Sequence, residues 1–106
     1  MEQQDIYIAV VNVQDAQQDL FYAVEADIEA DHALEDARMT AIIDGLIVGK
    51  NAEEREAKAA TVLQDQIGLH RVTAAKVHHA KMMLDKASLN LDAVRYTIRL
   101  MEVKKQ

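Results

Sequence analysis

Residues 6–41 read IYIAVVNVQDAQQDLFYAVEADIEADHALEDARMTA. From Ile6 the series Ile6, Ala9, Val13, Ala16, Leu20, Ala23, Asp27, Ala30, Leu34, Ala37 and Ala41 advances by alternating steps of three and four. That spacing places one line of mostly apolar side chains on a single face of a long helix. Within the line, Ala recurs every seven residues at 9, 16, 23, 30 and 37. A stripe of methyl groups lets the backbone of a partner helix come close along the whole seam. Ile6 to Val13 is rich in β-branched residues and reads alone as a strand, but the periodicity runs on into Leu20 with no turn signal. The stretch therefore reads as helix.

The next punctuation is Asp44-Gly45-Leu46-Ile47-Val48-Gly49-Lys50-Asn51. Gly45 suits a left-handed helix cap, and Asn51 followed by Glu54 has the spacing of a capping box. Glu53, Glu54 and Glu56 put negative charge where a helix N-terminus favours it. A competing reading, a small β-hairpin turning at Asp44-Gly45, suits flanking helices poorly. Beyond Asn51 a second apolar line runs through Leu63, Ile67, His70, Ala74 and Val77, then Leu84, Ala87, Leu91, Val94, Ile98 and Met101. The chain is thus expected to be all-α. A single helical-hairpin domain spans 1–106, with helix 1 over about 5–44, a loop at 45–51 and helix 2 over about 52–104 in antiparallel, coiled-coil pairing. Ser88 and Asn90 mark where a break would create a third helix.

Composition agrees with this pattern and removes other classes. Seventeen of the 106 residues are Ala, Pro and Cys are absent, and aromatic residues make up 4 %. Without Cys there is no disulfide framework, no thiol nucleophile and no thiolate-held zinc. The apolar runs are short and the N-terminus lacks the basic start of a secretory signal, so an untargeted, soluble, cytoplasmic chain is expected, with no membrane association. Ile8, Val11, Phe21, Tyr22, Val24, Ile28 and Met39 lie off the first seam, as do Leu69, Val72, Met82, Met83, Leu89 and Leu100. They compose a second apolar face that two helices alone cannot cover. Completion into a helical bundle by homo-oligomerisation is expected.

Charge divides the chain. Residues 1–50 carry 11 acidic and 2 basic side chains, residues 51–106 carry 7 acidic and 10 basic, and the total is −6. Antiparallel pairing sets opposite charges side by side. The net acidity opposes binding to long nucleic acid. The acidic half, with Asp15, Asp19, Glu25, Glu29 and Asp36 along it, also permits mimicry of nucleic-acid charge, although solvated carboxylates account for it equally.

Three sets of side chains are candidates for binding. Leu46, Ile47 and Val48, three large apolar residues bracketed by glycines, are more than a connector needs and suit a protein partner. Arg71, Lys76, His78, Arg95, Tyr96 and Arg99 have the chemistry to hold a small anion such as a nucleotide, guanidinium groups on phosphate and a ring under a base. Glu25, Glu29 and His32 share a helix face with the Glu-x-x-His spacing of di-iron bundles. Asp27 and His70 lie on the two apolar lines at matching heights if the chain turns near 48, where they would fix register or hold a metal. Asp31 lies one turn further along. Helix 2 has no Glu between Glu56 and Glu102 to complete a four-helix metal site. Gly45, Gly49 and Gly68 fit no phosphate-binding loop, and Ser88, the only serine, lacks a triad spacing. No cofactor is expected, and no enzyme.

The stretch Ile43-Asp44-Gly45-Leu46-Ile47-Val48-Gly49-Lys50-Asn51-Ala52-Glu53-Glu54-Arg55 resembles a segment that joins two long helices in small uncharacterised helical-hairpin proteins of tailed phages. Gly45, Gly49-Lys50-Asn51 and Arg55 carry the resemblance. It implies a phage accessory protein in the bacterial host cytoplasm, of the kind that binds or blocks a host protein, an anti-defence role included. It implies no catalytic residue.

Overall fold

The computed structural model describes residues 3–105, and every element in it is a helix: α1 (Gln3–Ile43), α2 (Ala52–Val62) and α3 (Gln64–Lys105). No strand occurs among the described residues, so the β readings of Ile6–Val13 and of the Asp44-Gly45 turn give way to helix and cap. Contacts sort the chain into two units, residues 1–23 with 77–106, and residues 24–76.

In the first unit α1 lies antiparallel to α3. Ala9 is buried against Leu91 and Val94, with Ile6, Val10, Val13 and Ile98 packed around them. In the second unit Ala41 is buried with Ala59 and Leu63, and Leu34, Ala37, Ile47 and Ile67 close over them. Every member of the α1 line from Ile6 to Ala41 is buried or half-buried. The α3 line holds with two exceptions: Ala74 is exposed while Thr73 takes the inward place, and Met101 is exposed. Ala80, between Val77 and Leu84, completes the inner face.

The connector is built as its residues dictate. Gly45 takes φ +73°, its N–H donates to Ile42 O at 3.1 Å, and the Leu46 N–H donates to Ala41 O at 2.8 Å. This pair of bonds is a Schellman closure, which needs a residue without a Cβ at its left-handed position. At the far side the Asn51 side chain accepts from the Glu54 N–H at 2.8 Å, and the Glu54 carboxylate accepts from the Lys50 N–H at 2.8 Å. A Cβ on Gly49 would fall 2.8 Å from the Glu54 Cβ and 2.9 Å from the Arg55 backbone N. The chain can therefore bring the capping carboxylate home only past a glycine.

The expected second helix is divided, at Leu63 and not near Ser88. Leu63 caps α2 with φ −103° and ψ 19°. The bonds from Leu63 N–H to Ala59 O and from Ile67 N–H to Leu63 O, both 2.9 Å, carry helical pairing across the joint. Ser88 and Asn90 lie inside α3. Their capping side chains are outweighed by the inward residues on either side, Ala87, Leu91 and Val94.

Six of the nine buried apolar residues are Ala, and no large side chain is fully buried. Ala9→Leu would force an isobutyl group between helices that touch through a methyl and is expected to cost about 1–3 kcal/mol in urea unfolding. Ala33→Leu, on an exposed face of α1, should change stability by less than about 0.5 kcal/mol. Equal effects would mean that the seam is not closely packed. Gly49→Ala is expected to destabilise by about 1 kcal/mol, seen as a lowered unfolding midpoint, through displacement of the Glu54 cap.

Candidate functional site

Each unit contains one polar feature set into the alanine seam. In the second unit Asp27 replaces the apolar residue that the seam calls for. Its Oδ1 accepts from the Thr73 hydroxyl at 2.7 Å and lies 3.5 Å from His70 Nε2. His70 Nε2 is also 3.8 Å from Asp31 Oδ1, so one imidazole faces two carboxylates at ion-pair distances when its ring is protonated. The Thr73 Oγ1 is 2.9 Å from His70 O as well. One hydroxyl carries one proton, and the shorter bond to a carboxylate is the stronger. Sequence spacing thus places Asp27, Asp31 and His70 together correctly, while Thr73 escapes it. A hydroxyl buried next to a carboxylate on the facing helix was the available signal, and Ala74 concealed it.

In the first unit a groove of about 530 Å³ opens between α1 and α3. Its floor is Ala16, Ala80 and Ala87; Asp15 and Asp19 line one side, and His79, Met83 and Lys86 the other. The cause is again alanine, because three methyl groups where larger side chains would stand leave space above the seam. Ala80 and Ala87, seven residues apart, are the pattern from which the groove is legible.

The other expected site residues are dispersed. Glu25, Glu29 and His32 are exposed on the face of α1 away from its seam. Among the described residues no group of three or more His, Asp or Glu side chains is placed to hold a metal ion. Arg71 and Lys76 belong to the second unit, whereas His78, Arg95, Tyr96 and Arg99 belong to the first, and all six are exposed. None of them lines the groove, where Lys86 and His79 stand opposite the two carboxylates. In the connector, Ile47 is half-buried against the Ala41, Ala59 and Leu63 cluster, while Leu46 is 50 % and Val48 63 % exposed. The apolar loop is thus split between one residue that seats it and two that remain available.

The residues that carry the phage-protein resemblance each have a local structural task. Gly45 closes α1, Gly49 makes room for the cap, and the Lys50 N–H and Asn51 side chain bond Glu54. The Arg55 guanidinium donates to Gly49 O at 3.4 Å. Searches of protein-family models, curated protein sequences and solved structures find no match to the chain. No helix among the described residues is long and apolar enough to cross a membrane.

The polar layer makes a quantitative claim. Thr73→Val removes a donor from a half-buried carboxylate and should lower stability by about 1–3 kcal/mol. Asp27→Leu combined with Thr73→Val should recover most of that loss, since an apolar pair leaves nothing unsatisfied. A double-mutant cycle by urea denaturation measures the coupling, and strictly additive effects would show that the 2.7 Å bond contributes nothing.

Proposed function

We propose that the chain is a non-enzymatic helical binding protein that works as a homo-oligomer, its bundle completed by further copies of itself. The observation that carries this reading is surface. The chain exposes 8253 Å², against roughly 6,000 Å² for a folded monomer of 11.9 kDa. Nineteen large apolar side chains are exposed among the described residues, including Phe21, Tyr22, Met82 and Leu89 of the second apolar face. Six of the nine buried apolar residues are Ala, so much of the apolar payload of the sequence stays exposed. An interface of standard size removes about 800 Å² from each partner, well within the excess.

Blocking a host protein is the form of binding that the phage-like connector favours, and Leu46 and Val48 are the loop residues free to make that contact. Sequestration of a small anionic ligand is the weaker reading. Its six expected residues divide between the two units, and Lys86 is the one Lys or Arg side chain among the described residues that line the groove. Metal binding by Glu25, Asp27, Glu29, His32 and His70 is weaker still, because three of the five are exposed away from the seam.

A native mass spectrum of untagged protein purified from cells tests the reading. The expected result is a multiple of the 11.9 kDa chain with no added mass. A monomer at high micromolar concentration would overturn self-association. A few hundred daltons of retained ligand per chain would replace protein binding with sequestration as the function.

A further inference from the structure

The side of α3 turned away from α1 carries a seam of its own. In the first unit Met82, Lys86, Leu89, Ala93, Tyr96, Leu100 and Val103 follow one another by alternating steps of four and three, the spacing of a helix seam. All seven are exposed, Leu89 to 69 % and Tyr96 to 63 %. The inner residues of the same stretch, Ala80, Leu84, Ala87, Leu91 and Val94, are buried or half-buried, and at about 100° per residue they lie on the opposite side of the helix. The outer side of α1 in this unit offers no counterpart. Tyr7 and Ile8 at one end and Phe21 and Tyr22 at the other are separated by Asn12, Gln14, Gln17 and Gln18, and Val11 is half-buried.

We propose that this seam pairs with the same seam of a second copy, α3 on α3, antiparallel about a two-fold axis level with residue 91, an assignment that rests on the homo-oligomer reading above. The order of side-chain sizes selects the register. In it Leu89 of each copy stands opposite Ala93 of the other, so a large side chain enters the gap over a small one. Met82 meets Leu100, and the Lys86 stem lies against the Tyr96 ring, a contact that an ammonium group favours. Charge agrees with this register. Along one flank of the seam Asp85, Asp92 and Arg99 stand seven residues apart. Arg99 of each copy falls within about 3 Å, measured along the axis, of Asp85 of the other, and the two-fold makes this unlike pair twice. Asp92 approaches its own copy near the axis, with Lys86 of the other copy one turn away. Parallel pairing would instead set Asp85, Lys86, Asp92 and Arg99 each against its own kind. The unit as a whole holds seven carboxylates and six Lys or Arg, so two copies approach with little net repulsion.

Charge reversal, with association measured by sedimentation, tests this pairing separately from self-association itself. Asp85→Arg or Arg99→Asp alone should weaken association about tenfold. The two together in one chain restore the unlike pairs and should bring association back to within about threefold of the parent chain. Leu89→Asp with Tyr96→Asp should weaken it about thirtyfold or more. All four side chains are exposed, so each variant should keep its helicity by circular dichroism. An assembled parent chain whose association is unmoved by Leu89→Asp with Tyr96→Asp would overturn the assignment and leave the homo-oligomer reading standing. So would a double reversal that associates no better than the single ones. A parent chain that is monomeric removes the homo-oligomer reading, and this pairing with it.

Discussion

Two helices that meet through alanine can approach until their backbones nearly touch, and they gain little apolar burial for doing so. Ala9, Ala16 and Ala30 on α1 and Ala59 and Ala80 on its partners are buried, and each contributes a single methyl. A buried methylene or methyl is worth about 0.8 kcal/mol and a buried Leu or Phe roughly 1.5–3 kcal/mol. The seam buries a few larger side chains, Leu63, Leu91 and Val94, and nineteen others stand exposed among the described residues. Close approach and a wealth of exposed apolar surface are two consequences of one choice of residue.

A seam of repeated alanines also lacks register, since a shift by one heptad replaces each methyl by another. The Asp27, Thr73 and His70 layer supplies what the methyl groups cannot. A carboxylate in a half-buried position finds its donor at one height only, and a slip by a turn leaves both groups unsatisfied. The connector fixes the other end of the same problem. The Schellman closure at Gly45 and the Asn51 cap leave the chain few ways to turn between α1 and α2. Ile47 ties that turn to the cluster around Ala41 and Leu63.

The α1 line was legible in full because the alanine repeat runs without interruption and the caps of the connector have side chains of known preference. The polar layer was half legible. Asp27 and His70 stand out as polar residues on apolar lines, but at 73 and 74 the helical period permits either residue, and hydropathy favours Ala74 when the hydrogen bond favours Thr73. The joint at Leu63 was not legible, since neither Gly nor Pro marks it and its helical hydrogen bonds persist. The groove above Ala16, Ala80 and Ala87 depends on which residues of two helices stand at one height, and that is a property of register.

The same limit explains why the anion site read from α3 dispersed. Arg71, His78 and Arg99 recur at multiples of seven and share a face, yet a stripe of cations on one helix becomes a binding site only when another element encloses it. Within the first unit, the groove is enclosed by α1, and α1 brings Asp15 and Asp19 rather than further cations. A phosphate entering there would meet carboxylates on one side and His79 and Lys86 on the other. The carboxylates of α1 thus offset the basic side chains of α3 within the groove, while large apolar side chains such as Met82, Leu89 and Tyr96 remain exposed on the outer side of α3.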